Sequence, residues 1–395
     1  MLFPRVRIAL VALLAALSLG GCLTTGPVVP GRIFVLSDTV LSVVERSKVV
    51  NTTLPAELRL PTLGPTGEYL AGIVGEKLVL VGTTKAKPAM TPLTEVNQAS
   101  LIAWAPAGDR LAVVTARESI TIFDLKGNQG PVFQGFDAGI QSVIWSPDGA
   151  YLAVVTNAGG SNPTVWIADL ASGQTHIAAK NAMAHTWAPD SKSLIFSVWE
   201  DRGPDRLAAL RLPGETKVLF SEETLSAFRP DLAELLDKNN PSIYWAGWSP
   251  KGDVLTVNFK AAGPDPRYVS LTMDLDGKLL AAWILPVYPE TQPNMFPPLP
   301  CSPGPAAWGL NQERLITRLT NPGCEGKVAI LDAVSMKPLS ELRTVPKSMV
   351  LTSPDGAWVA LRNPDGERVE VTNLADSSKT VSLPVKGELL LWTKR

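Results

Sequence analysis

His176 and His185, with Cys22, Cys301 and Cys324, are the side chains of this 395-residue chain best suited to nucleophilic, acid–base or metal chemistry. Neither histidine has a Ser or Cys nucleophile motif beside it, and the chain contains no Gly-x-Ser-x-Gly and no His-Glu-x-x-His. Serine-hydrolase and zincin chemistry therefore lack their parts. Cys301 and Cys324 have no His or carboxylate partners at ligand spacing, so neither a metal centre nor another cofactor is expected. Carboxylates gather as Glu200-Asp201, Asp205, Glu222-Glu223 and Asp265. A glycosidase needs two of them held at a set separation across a bond; solvated loop charge is the simpler reading. No catalytic residue is assigned, and an acid-pair hydrolase or lyase is the enzymatic alternative.

Cys22 has a different setting. Arg5 and Arg7 precede an apolar stretch from Ile8 to Leu19 that ends in Leu19-Gly20-Gly21-Cys22. The stretch is too short to span a bilayer as a helix, and its charged start and small-residue end have the layout of a secretory signal. The ending resembles the lipobox of bacterial lipoproteins. That resemblance implies a signal peptide over 1–21, a lipid-bearing Cys22 as first mature residue, and a short tether over 22–31. The expected address is the outer face of the cytoplasmic membrane, the outer membrane or the cell surface, with contact to lipid through Cys22.

Removing Arg5 and Arg7 from the 36 basic residues leaves 34 against 37 acidic ones, a formal charge of −3. With no basic run, this argues against a nucleic-acid partner and against electrostatic docking on anionic lipid. The 34 prolines and 31 glycines are spread between short apolar runs, the punctuation of an all-β fold with many turns.

Residues 141–178 hold four such runs, Val143–Trp145, Tyr151–Thr156, Thr164–Asp169 and Gln174–Ala178, and read as a four-stranded antiparallel meander. The turn Ser146-Pro147-Asp148-Gly149 separates the first two. Matching positions fall at Leu63, Trp104, Trp145, Trp187, Trp248, Trp308, Thr352 and Trp392, spaced 41, 41, 42, 61, 60, 44 and 40 residues apart. Third strands end alike in Phe123-Asp124-Leu125, Ala168-Asp169-Leu170, Met273-Asp274-Leu275 and Thr372-Asn373-Leu374. The repeat resembles the WD40-like, TolB-type β-propeller repeat, without an α/β domain ahead of it. The resemblance implies one propeller over 32–395, and a stacked array suits sheets that cannot bury both faces alone.

The last run, Gly387–Trp392, stops three residues before the end, and its missing strands stand at the start as Arg32–Leu36, Val40–Arg46 and Lys48–Leu54. Eight blades closed by both ends of the chain are expected, with seven blades as the alternative. Turns between first and second strands are uniformly tight. The second-to-third and fourth-to-first connections vary, and in a meander both lie on one face of the disc. Two long insertions, Ser221–Ser242 and Pro286–Pro305, flank the blade of Trp248 on that face. In the first, Pro230-Asp231 followed by Leu232, Leu235 and Leu236 reads as a short helix packed on the rim.

Loops varied on a rigid scaffold are where function is usually placed. Aromatic and Arg side chains dominate binding hot spots. The candidates in this sector are Trp199, Arg202, Phe228, Arg229, Arg267, Tyr268, Tyr288 and Phe296. Cys301 and Cys324 belong to the same blade, and in an exported chain a disulfide between them is expected. The functional expectation is a non-enzymatic binding or scaffold module for an envelope protein, peptide or glycan. A structural subunit of an envelope complex is a further alternative.

Overall fold

The computed structural model describes residues 28–83, 89–157, 162–199, 206–220, 222–229, 232, 241–261, 267–274, 276–285, 302–309, 313–320, 326–345 and 349–394. They form eight four-stranded antiparallel sheets arranged as the blades of a propeller. Blade 1 holds β4 (Arg59–Leu63), β5 (Tyr69–Val74), β6 (Lys77–Gly82) and β7 (Met90–Glu95). Blade 2 holds β8 (Ala99–Trp104), β9 (Arg110–Thr115), β10 (Ser119–Asp124) and β11 (Gln129–Phe133). Blade 3 holds β12 (Ile140–Trp145), β13 (Tyr151–Thr156), β14 (Thr164–Asp169) and β15 (Thr175–Lys180). Blade 4 holds β16 (Ala182–Trp187), β17 (Ser193–Val198), β18 (Arg206–Arg211) and β19 (Glu215–Phe220). Blade 5 holds β20 (Pro241–Trp248), β21 (Val254–Ala261), β22 (Arg267–Asp274) and β23 (Leu279–Ile284). Blade 6 holds β24 (Ser302–Gly309), β25 (Arg314–Thr320), β26 (Lys327–Asp332) and β27 (Pro338–Arg343). Blade 7 holds β28 (Leu351–Thr352), β29 (Trp358–Arg362), β30 (Val369–Asn373) and β31 (Thr380–Leu383).

The closing blade joins both ends of the chain in the order β3-β2-β1-β32, with β1 (Arg32–Ser37), β2 (Val40–Glu45), β3 (Lys48–Thr53) and β32 (Glu388–Thr393). Eight blades are present, and the seven-blade alternative falls. The body begins within the stretch read as a tether: Val29 is fully buried, and the Trp392 indole N–H donates to the Pro30 carbonyl at 2.6 Å. Gly31 follows at φ +71°, where a Cβ would run into the Thr393 backbone carbonyl, so only glycine fits this crossing.

Each seam between blades is built from one blade's second and third strands and the next blade's Trp and second strand. Ala112, Val114, Ile120 and Ile122 of blade 2 thus pack with Trp145 and Leu152 of blade 3. The repeated tryptophan also reaches back across the seam. Trp104 Nε1 donates to the Thr62 carbonyl at 3.0 Å, Trp145 Nε1 to Ala103 at 3.1 Å and Trp187 Nε1 to Ile144 at 3.0 Å. The acceptor is each time the residue just before the matching position of the preceding blade. At Trp248 and Trp308 the indole N–H is buried and finds no acceptor among the described residues. These two tryptophans flank blade 5 on its two sides.

Leu232 is helical, in the stretch read as a helix after Pro230-Asp231, and a further helix precedes it: α1 spans Glu222–Phe228. Two acidic residues open it, which suits the positive end of a helix, and Leu225 and Phe228, three apart, share one face. Leu225 and Leu232 are fully buried in the core between blades 4 and 5. Leu235 and Leu236 lie outside the described residues.

Candidate binding face

The tight turns of one face are occupied by their own structure. In Ser146–Gly149 the Ser146 hydroxyl donates to Asp148 Oδ1 at 2.6 Å and accepts from the Tyr151 N–H at 2.9 Å, while Asp148 accepts from the Ala150 N–H at 3.0 Å. Ser353 and Asp355 repeat the arrangement, and Asp190 accepts from the Lys192 and Ser193 N–H groups. These aspartates are short acceptors for turn amides, as their sequence positions imply.

The opposite face carries the variable connections. In the inserted sector, the Trp199 backbone N–H donates to the Asn181 carbonyl at 2.7 Å, and its indole N–H is buried without an acceptor among the described residues. Phe228 packs against the blade 4–5 core, and Arg229 Nη1 donates to the Ala282 carbonyl on the outermost strand β23 at 3.2 Å. Sequence reasoning treated both as contact residues; the structure uses them to hold α1 across two blades. The clasp covers part of an edge strand, Leu279–Ile284, that has neither charge nor proline to protect it.

Tyr268 remains at the surface end of blade 5. It meets Tyr244 edge-on with ring centroids 6.2 Å apart, and Lys260 Nζ lies 5.8 Å from its ring. Tyr244 is 38% exposed. The pairing of Lys260 with Tyr268 across β21 and β22 brings the cation and ring together. Sequence reasoning selected Tyr268 but missed Tyr244 and Lys260, because the partner across a strand pair depends on register. Arg267 opens β22 beside them. Arg202, Tyr288 and Phe296 lie outside the described residues, as do Cys22, Cys301 and Cys324 and the carboxylates Glu200, Asp201, Asp205 and Asp265. Glu222 and Glu223 lie in the first turn of α1.

A second feature of the same face was not singled out in the sequence. A cleft of about 860 Å³ lies between residues 116–119 and 134–139, at the mouth of the seam between blades 2 and 3. Asp137, in the fourth-to-first connection, accepts from Thr156 Oγ1 at 2.7 Å, Thr164 Oγ1 at 3.0 Å and Trp166 Nε1 at 3.3 Å. Partial burial works to raise its carboxyl pKa, but the three donors outweigh it and hold the group below the usual range. Phe136 meets Trp166 edge-on at 5.5 Å. Loop 134–139 is thereby pinned to blade 3 and forms a preformed wall.

The histidines occupy unlike environments. His176 is exposed on β15, at a cleft on the tight-turn side that also contains Asp148, Tyr151 and Lys192. His185 stands on the innermost strand β16, its Nε2 2.9 Å from the Ser197 hydroxyl, and burial pushes its pKa down to about 4. It is neutral at pH 7 and keeps its proton exchange out of the physiological range. Among the described residues no three His, Cys, Asp or Glu side chains are grouped to hold a metal ion.

Comparison with known proteins agrees with this architecture. A family model described as the anaphase-promoting complex subunit 4 WD40 domain matches residues 102–188, which span blades 2 and 3 and the first strand of blade 4. No curated protein matches the chain. Among solved structures, dihydro-heme d1 dehydrogenase NirN in complex with DHE superposes with a TM-score of 0.61 at 14% identity, covering 93% of this chain and 76% of that one. The C-terminal WD40 domain of Sif2 superposes at 0.55 with 15% identity, covering 86% of each chain. A eukaryotic initiation factor gives 0.55 at 12% identity, covering 90% of this chain and 85% of its own. At these identities the likeness concerns the fold: the chain is a β-propeller with WD40-like repeats.

Proposed function

We propose that the protein is a lipid-anchored envelope propeller that binds a protein or peptide through the variable face of its disc, without catalysing a reaction. The observation that carries the reading is the difference between the two faces. One is made of short turns whose aspartates are taken up by turn amides, with a smaller cleft beside His176. The other holds the Tyr244–Lys260–Tyr268 cluster and the cleft walled by residues 134–139. A tyrosine pair with a cation is a low-entropy contact surface of the kind enriched at binding hot spots. The WD40-like match supports a protein partner. Because the similarly folded NirN is a dehydrogenase, the binding role rests on the site rather than on the fold. Anchoring through Cys22 rests on the Leu-Gly-Gly-Cys ending and its charged, apolar lead.

A photo-cross-linking residue placed at Tyr268 or Tyr244 in the full-length protein, irradiated in the native envelope, should give one discrete adduct. The same residue at Asp109 or Lys251, on the tight-turn face, should give none. Equal adducts from both faces would remove the face assignment. Cys22→Ala should leave the chain unprocessed or released from the membrane, and a mature-sized, membrane-bound variant would contradict the anchor.

A further inference from the structure

Blade 5 breaks the pattern by which the other blades seal their seams. Eight residues after the repeated Trp position, the second strand pairs a side chain with the third strand, and both point toward the next blade. This pair is Ala112 with Ile122 in blade 2, Ala153 with Ile167 in blade 3 and Ile316 with Ile330 in blade 6. In blade 5 it is Thr256 with Thr272, and the next pair toward the variable face is Asn258 with Ser270. Four polar side chains therefore stand where neighbouring blades contribute four mostly apolar ones. The opposite side of the same strands, with Leu255, Val257, Phe259, Leu271 and Met273, is fully apolar and packs on blade 4.

Thr256, Ser270 and Thr272 are 0%, 1% and 1% exposed, and their hydroxyls find no hydrogen-bond partner among the described residues. Across the seam the wall is largely apolar, with Leu315, Leu319, Ala329 and Leu331 beside the buried Thr317. Burying a hydroxyl against such a wall is unfavourable, and opening the seam to water relieves it. The tryptophan bonds that tie blades 2, 3 and 4 to their predecessors are also missing on both sides of blade 5, at Trp248 and Trp308. We infer that the seam between blades 5 and 6 is a joint of the ring that separates in the native protein, admitting water along Thr256, Asn258, Ser270 and Thr272 while the strand ladders stay intact. Lys260 and Tyr268 continue the polar stripe to the variable face, so an opening changes the spacing of the surface there. The inference stands on packing alone and does not depend on the proposed binding role.

Thiol labelling of the folded full-length protein, read site by site by peptide mass spectrometry, tests this. A Thr256→Cys variant should label at least tenfold faster than an Ala153→Cys variant, whose side chain occupies the same position in blade 3. Equal rates would mean that both sites open only with global unfolding, and would overturn the inference. A second comparison stays within blade 5: adding Thr256→Val and Thr272→Val to a Ser270→Cys variant should slow labelling at least tenfold by giving the seam an apolar lining. Unchanged or faster labelling would equally overturn it.

Discussion

Replacing the repeated tryptophans one at a time by phenylalanine separates packing from hydrogen bonding in the seams. At Trp104, Trp145 and Trp187 the change removes an N–H that donates to the preceding blade at 3.0 to 3.1 Å. It also leaves a carbonyl of the innermost strand without that donor. The net bond is worth about 1 kcal/mol, and the uncompensated acceptor adds about 1 kcal/mol or more. At Trp248 and Trp308 the same change removes a buried N–H that has no acceptor among the described residues, so it relieves a cost of similar size. The loss of ring volume is common to all five sites and largely cancels. The two groups should therefore differ by about 2–3 kcal/mol, with Trp145→Phe clearly destabilised and Trp248→Phe close to the parent. Urea unfolding followed by far-UV circular dichroism reads this without relying on the indoles themselves. Ring arrays need not unfold in one step, so the transition of each blade's neighbourhood matters more than a single midpoint. If Trp248→Phe and Trp308→Phe fall as far as Trp145→Phe, the interrupted tryptophan chain has no energetic meaning and the argument from it fails.

Other variants probe the remaining structural claims. Gly31→Ala should cost on the order of 3 kcal/mol, from left-handed strain plus collision with the Thr393 carbonyl at the closure, whereas Gly75→Ala, at φ +61° with open space around it, should cost only about 1 kcal/mol by urea midpoint. Because the His185 pKa is about 4 in the fold and near 6.5 when unfolded, the neutral ring contributes stability that is fully present above pH 6.5. That stability is lost as pH falls from 6.5 toward 4, by at most roughly 3 kcal/mol given that part of the ring stays accessible. His185→Gln should flatten the loss seen between melts at pH 7 and pH 4.5; an equally steep loss in the variant would refute it. Asp137→Ala should destabilise by about 1–2 kcal/mol by removing the acceptor shared by Thr156, Thr164 and Trp166, and loosen loop 134–139, measurable as faster proteolysis there.

The blade boundaries were legible because the Trp145 position and its turn recur in most repeats, 40 to 44 residues apart except across the two insertions, and each element of that recurrence has a local cause: a seam-filling indole and a φ > 0 turn. Closure was legible too, since an isolated Gly387–Trp392 run has no sheet of its own to join. What sequence order hides is which carbonyl lies across a seam from Trp104, which follows from how two blades pack, and which ring Lys260 faces, which follows from the register of the β21–β22 hairpin. The Pro230-Asp231 start signal precedes Leu232, which is helical, whereas α1 ahead of it escapes a reading of the sequence because the Leu225–Phe228 face that buries it spans barely one turn. The polar side of blade 5 was written in the sequence all along: Val-Leu-Thr-Val-Asn-Phe-Lys alternates where Tyr-Leu-Ala-Val-Val-Thr does not. Its meaning emerges only when the blades are superposed position by position.

The most direct test of the binding assignment is an affinity series against the cross-linked partner, using the intact mature protein. Tyr268→Ala and Tyr244→Ala should each lower affinity about thirtyfold, corresponding to ~2 kcal/mol for truncating an anchor, while their circular dichroism melts stay close to the parent. Asp109→Ala and Lys251→Ala, on the tight-turn face, should bind like the parent. Loss from the second pair, or equal affinity across all four, would contradict a binding surface on the variable face of blade 5.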